Sequence, residues 1–330
     1  VVQSAHLCKI DLMTQLVYEF PELQGVAGRE YLKAEGYPPQ VYQSVSDHYL
    51  PKSLNEDIKK YKDSSVGRVA ALLGIVDRFD TIVGAFATGI ELSGSEDPYA
   101  LRRASGSIVK LAQSFQITFS LKALLSLAYQ LLKESSFRDH IVVPFNVLEE
   151  RILTLFKERI IYALQEVPSS VERMILDSVL ASSCDDIGDV LIRFDALKKM
   201  YKSKDENMVF RQAVKAIERS GNIVKSAKED LSGDVDLALF QDPLEHTVYA
   251  LYTAKHEELR SLIASRLYRE ALRLYADTFF DTLHQFFEKV MINVENKDVR
   301  INRLRLMRSI NTIITDKVAD LRLIHGINVE

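Results

Sequence analysis

The chain has 330 residues, 47% hydrophobic and 27% charged, with 42 Lys and Arg against 46 Asp and Glu. That balance excludes a disordered chain, a membrane protein and a histone-like binder, and at a net charge of −4 no global basic surplus advertises a nucleic-acid partner; neither DNA nor a membrane is expected. Two cysteines exclude a disulfide scaffold, and thirteen glycines with eight prolines, about half the usual share, favour long helices over turn-rich β structure.

The opening VVQSAHLCKIDLMTQLV reads as amphipathic helix and, lacking a methionine or a signal pattern, suggests a segment of a longer polypeptide. Most glycines, including Gly25, Gly28, Gly36, Gly84, Gly89 and Gly94, fall in residues 1–106, so the first third is expected as helices joined by structured loops. Asp97-Pro98 predicts a helix start, an N-cap acceptor followed by a residue whose missing N–H is no loss. Arg102 and Arg103 then emerge in its first turns, against the macrodipole. They are candidates for an acidic partner segment, an RNA phosphate or an internal ion pair. The run HIVVPF, His140 to Phe145, is β-like but weakened by Pro144.

Leu148, Ile152, Leu155, Phe156, Ile160 and Ala163 repeat at helical steps. Breaks are expected near 133–139, 167–170 and 202–207, and across the acidic Ser232–Pro243 stretch. A helix starting near Val209 carries Arg211, Lys215, Arg219, Asn222 and Lys225 on one face. Two more stripes follow: Leu272, Ala276, Phe279, Leu283, Phe286 and Val290, then Leu304, Met307, Ile310, Ile314, Val318 and Leu321. VRINRLRLMR brackets the last stripe with Arg300, Arg303, Arg305 and Arg308, whose stems can cover the core edge while their heads face outward. The two basic faces suit phosphates and unstacked bases, although a basic face is also what any solvated helix shows. Strand signals are nearly absent, and apolar stripes need partners, so the expected fold class is all-α, helices packed on helices. The acidic excess lies wholly in residues 1–200; residues 201–330 are charge-balanced.

Candidate metal ligands in the first region are His6, His48, Asp77 and Asp80. Helical metallophosphohydrolases of the histidine–aspartate (HD) type need imidazoles and carboxylates converging on one cation through an H…HD…D pattern. This sequence has no His-Asp dipeptide, only Asp47-His48 in reverse. Asp77 and Asp80 can equally pair with Arg78 or cap backbone, so metal is not expected. Phosphate-binding glycine loops and nucleophile elbows are missing from the sequence. Cys8 and Cys184 match no zinc spacing and read as two lone buried thiols in a reducing cytoplasm.

Four stretches resemble the C-terminal half of the β subunit of bacterial glycyl-tRNA synthetase: Ser4 to Leu32, Asp47 to Pro51, Val76 to Gly89 and Gly94 to Leu111. Phe286 to Ile310 is similar to that family's C-terminal domain. The resemblance implies a helical HD-like domain over 1–135, a helical connector over 136–204 and a helical-bundle anticodon-binding domain over 205–330. It implies that the α part, fused or separate, carries glycine activation with ATP and Mg, and that this segment holds no cofactor. The segment would bind tRNA for glycine in the cytoplasm and adjoin the α part. On that footing Arg300, Asn302 and Arg303 are expected as the main anticodon-side contacts, supported by Arg211, Lys215, Arg219 and Asn222. Arg102 and Arg103 would serve the first domain, in packing or against tRNA. Where the family usually has K-R-x-x-N-I, this chain has Glu218 to Ile223, which puts the first position in doubt as a phosphate contact. Two alternatives are an HD-type metal-dependent phosphohydrolase using His6, His48, Asp77 and Asp80, and a scaffold that only docks the α part.

Overall fold

A computed structural model describes residues 1–58, 61, 65–92, 97, 99–164 and 169–327. Within them the regular structure is helical, and the one β feature is an isolated bridge between Ser120 and Asp186. Two compact units divide the chain: Val1–Gln165 with Asp185–Gly188, and Glu166–Cys184 with Asp189–Glu330. The division falls inside the stretch expected as a connector.

The first unit holds α1 (Val2–Leu7), α2 (Gln15–Glu19), α3 (Val26–Ala34), α4 (Pro39–Asp47), α5 (Ser65–Ala87), α6 (Leu101–Phe115), α7 (Leu121–Glu134) and α8 (Phe145–Ala163). The helix α5 is its axis. Phe79, Ile82, Val83 and Ala87 are buried on it, and Phe79 stacks on Phe156 of α8 with centroids 6.0 Å apart. The loop after α4 is held by two cations. Arg78 donates to the carbonyls of His48 at 2.9 Å and Tyr49 at 2.7 Å, and Lys110 donates to that of Leu54 at 2.7 Å. Gly74 makes the approach possible, since a Cβ there would lie 2.7 Å from the His48 carbonyl oxygen.

The run HIVVPF forms no strand. Arg138–His140 make a short 3-10 turn, and the N–H groups of Val142 and Val143 donate to the Ala87 carbonyl, closing the end of α5. Pro144 then starts α8 instead of continuing an extended segment. The stripe on α8 is buried from Leu148 to Ile160, while Ala163 is exposed. The expected helix start at Asp97 is displaced. Helix α6 begins at Leu101, and the Asp97 carboxylate accepts from the Arg102 N–H at 3.1 Å. Pro98 and residues 93–96 lie outside the described residues, as do residues 167 and 168 of the break expected at 167–170.

The second unit holds α9 (Ser170–Ser182), most of α10 (Ile187–Lys202), α11 (Asn207–Ser226), α12 (Pro243–Ala264), α13 (Tyr268–Lys289) and α14 (Lys297–Thr315). Arg193, fully buried on α10, donates to the carbonyls of Val179, Ser183 and Val318 at 3.2, 2.7 and 2.9 Å and pairs with Asp189. Helices α11 to α14 form an up-down-up-down bundle. Glu206 before α11 meets Arg269 and Arg273 at the start of α13, while Arg219 meets His284 fifteen residues further along α13 than Arg269, so these two helices run parallel. Asn311 of α14 donates to the Ile217 carbonyl, and the predicted stripes on α13 and α14 are buried throughout. Helix α12 opens on a capping box, Asp242 with Glu245. Among the described residues no helix is long and apolar enough to cross a membrane.

Candidate functional site

The arginine-rich start of α14 is turned to an internal task. Asn302 is fully buried and Arg303 is 5% exposed. They fall between Val299 and the Leu306–Met307 pair, on the stripe that faces the core. Arg303 forks onto Glu245 of α12 at 3.0 and 3.2 Å and gives its remaining nitrogen to the Met291 carbonyl at 2.7 Å. Burial pushes the Glu245 carboxyl up, but Arg303 and the N–H groups of Gln241 and Asp242 outweigh it and hold the group below its usual value. The Asn302 amide grips Asp236 from both sides, accepting from its N–H at 2.7 Å and donating to its carbonyl at 2.8 Å.

The outer arginines of α14 reach the same stretch. Arg300 pairs with Glu229 at 2.8 Å and donates to Val294, Arg305 donates to the Ser232 carbonyl, and Arg308 donates to the Leu231 carbonyl at 2.7 Å. Residues 227–242 are thereby strapped across the helix. Arg300, Asn302 and Arg303, expected as the main anticodon-side contacts, are engaged within the chain and not set on an open face. Asn302 and Arg303 are inside, and Arg300 is half-buried in an ion pair.

The face of α11 differs. Arg211 bonds to Asn207 at 2.6 Å, and Lys215 pairs with Glu218 at 2.8 Å. The acid standing where the family usually has lysine thus neutralises its own neighbour. Arg219 is exposed; its guanidinium lies over the Phe287 ring, 5.0 Å from the centroid, and meets His284 Nδ1 at 2.9 Å. The His284 Nε2 faces Glu288 at 3.1 Å. Asn222 and Lys225 are exposed, and neither side chain has a hydrogen-bond or ion-pair partner among the described residues. Sequence reasoning missed Phe287 and His284, because only the parallel packing of α11 and α13 brings residues so distant in sequence to Arg219.

In the first unit Arg102 is half-buried and Arg103 exposed. Arg103 lines an open groove of about 450 Å³ with Lys52, Tyr49, Tyr99 and Ser107. The metal candidates do not converge. His6 and Asp80 are exposed, and Asp77 is paired with Lys9 at 2.8 Å. The Lys9 ammonium also sits 4.8 Å from the Tyr49 ring centre. His48 is buried with Nδ1 2.7 Å from the Val45 carbonyl oxygen, and its Nε2 has no partner among the described residues. Burial lowers the His48 pKa, keeping the ring neutral. No three His, Cys, Asp or Glu side chains among the described residues form a metal-ligand group. A cation already fixed beside Asp77 opposes a second one, so these residues do not fit the HD metal centre.

Comparison with known proteins agrees with this anatomy. The family model described as "Glycyl-tRNA synthetase beta subunit" matches residues 1–181, and that of the "DALR anticodon binding domain" matches residues 214–321. The glycine–tRNA ligase beta subunit of Desulforamulus reducens is 35% identical over 310 residues, covering 94% of this chain and 42% of the relative. That of Acidobacterium capsulatum is 35% identical over 318 residues, covering 93% and 42%. That of Geobacter metallireducens is 34% identical over 310 residues, covering 94% and 42%. The chain therefore spans about two-fifths of the length of the curated relatives it matches. Arrangement and comparison together place it: the chain belongs to the glycyl-tRNA synthetase beta subunit family.

Proposed function

We propose that this chain is the tRNA-binding and anticodon-recognising part of a glycine–tRNA ligase. It positions tRNA for glycine while the α part, its partner, attaches the amino acid. ATP and Mg act in the α part and this segment carries no cofactor. The enzyme works in the cytoplasm. One observation carries the reading: the match to an anticodon-binding domain falls on the α11–α14 bundle, whose α11 face keeps Arg219, Asn222 and Lys225 at the surface. Exposed cations beside a half-buried ring suit a folded RNA, which offers phosphates and unstacked bases together. On α11 the contacts are Arg211, Lys215, Arg219 and Asn222. In the first unit Arg103 serves a secondary contact through its groove, with Arg102 beside it.

Filter binding of the chain to glycine tRNA over a range of salt tests this. Binding should weaken with salt and weaken further when the anticodon is exchanged. Equal affinity for glycine tRNA and for tRNAs with unrelated anticodons would leave only the scaffold role against the α part.

A further inference from the structure

We propose that the guanidinium of Arg219, seated on Phe287, is a stacking platform for one unpaired base of the tRNA, with Asn222 bonding that base's edge. The inference rests on the reading of the α11–α14 bundle as a tRNA-binding unit and specifies how it grips.

An arginine that serves as a point charge needs no fixed plane. Arg219 is held at two points: its guanidinium carbon lies over the Phe287 ring, 5.0 Å from the centroid, and His284 Nδ1 meets one terminal nitrogen at 2.9 Å. The residue is exposed, so the guanidinium stays within reach of a ligand. A flat, delocalised cation held in this way matches the π-face of any base, and guanidinium planes are a regular support for bases splayed out of RNA. Its rotamer is already fixed, so less entropy is lost when a base arrives.

Asn222 lies three residues on, one helical turn along the same face. Its amide offers a donor and an acceptor side by side, the pattern needed to read a base edge, and it is committed to nothing else among the described residues. Beyond it Lys225 on α11 and Lys289 on α13 stand at the same end of the parallel pair, exposed and without ion-pair partners among the described residues. They supply the charge that a flanking phosphate needs. An acidic protein segment could use the lysines and Arg219 equally well, but it would gain nothing from the ring beneath or the amide beside.

The test uses the holoenzyme and glycine tRNA carrying 2-aminopurine at each unpaired anticodon-loop position in turn. Quenching at one position is expected on binding. Arg219→Lys keeps the charge and removes the plane, so it should abolish that quenching and weaken binding about tenfold, within the range known for base stacking. Phe287→Leu should do the same, and if it loosens the fold in a melting control the surface change Arg219→Lys decides alone. Lys225→Ala should keep the quenching and lower the salt dependence. Wild-type quenching and affinity in Arg219→Lys, or no quenched position at all, overturn the platform. A tRNA lacking its anticodon arm separates the two levels: if it binds the holoenzyme as tightly as the whole molecule, the bundle's role itself falls, and the platform with it.

Discussion

Helices α14 and α11 carry similar basic faces in sequence and opposite ones in space. On α14 each of Arg300, Arg303, Arg305 and Arg308 meets an acceptor within the chain, and two of those acceptors are the carboxylates of Glu229 and Glu245. On α11 Lys215 meets Glu218, one turn away, and Arg219, Asn222 and Lys225 along the end of the helix stay at the surface. The difference comes from what crosses each face. An acidic, irregular stretch lies over α14 and consumes its donors, while the basic face of α11 meets only side chains of the parallel α13 near Arg219. A row of arginines therefore says that acceptors are needed, without saying whether the chain itself or a ligand supplies them.

The largest effect expected from this contrast is on stability. Arg303→Ala should lower the stability of the second unit by about 3–5 kcal/mol, because it leaves the Glu245 carboxylate buried without its partner. Urea unfolding would show this at pH 7. The Glu245 carboxyl is held below the ordinary glutamate value, so the pair's contribution is complete above that ordinary value and is lost as pH falls through the lower folded one. The gap between wild type and variant should accordingly narrow in acid. A variant as stable as wild type at pH 7 would return Arg303 to the list of free cations.

Asn302→Ala comes next. Losing both bonds to Asp236 should cost about 1–3 kcal/mol and speed amide exchange at Asp236. Unchanged exchange there would mean that residues 227–242 are held by the outer arginines alone.

The smallest effects are on RNA. Lys215→Ala and Lys225→Ala should each reduce the salt slope of tRNA binding by about 0.7 if each neutralises one phosphate of a single-stranded loop. The double change Arg305→Ala with Arg308→Ala should leave the slope where it was. A slope that falls for the α14 pair and not for the α11 lysines would reverse the comparison.

Much of the fold was legible because helix periodicity is local. The stripes from Leu148 to Ile160, Leu272 to Val290 and Leu304 to Leu321 are buried as expected, since each reports only on its own helix. What was hidden depends on partners distant in sequence. Arg303 looked like a surface cation because Glu245, which neutralises it, belongs to another helix, and Asn302 because Asp236 is in a loop. Phe287 lies outside the predicted stripe, and only the packing of α13 beside α11 brings its ring to Arg219. In the first unit, Lys9 has no sequence mark tying it to Asp77, yet that pair is what closes the metal reading. Family resemblance located the bundle but could not say which of its polar side chains were already used.

Arg78, Arg193, Arg305 and Arg308 share a habit whose consequence is evolutionary. All four hold loops chiefly by main-chain carbonyls. A carbonyl survives almost every substitution of the residue that bears it, so the clamped segments are free to drift while the clamping arginine is not. Across related chains, residues 231 and 232 should change identity readily, with invariance concentrated on the arginines that grip them.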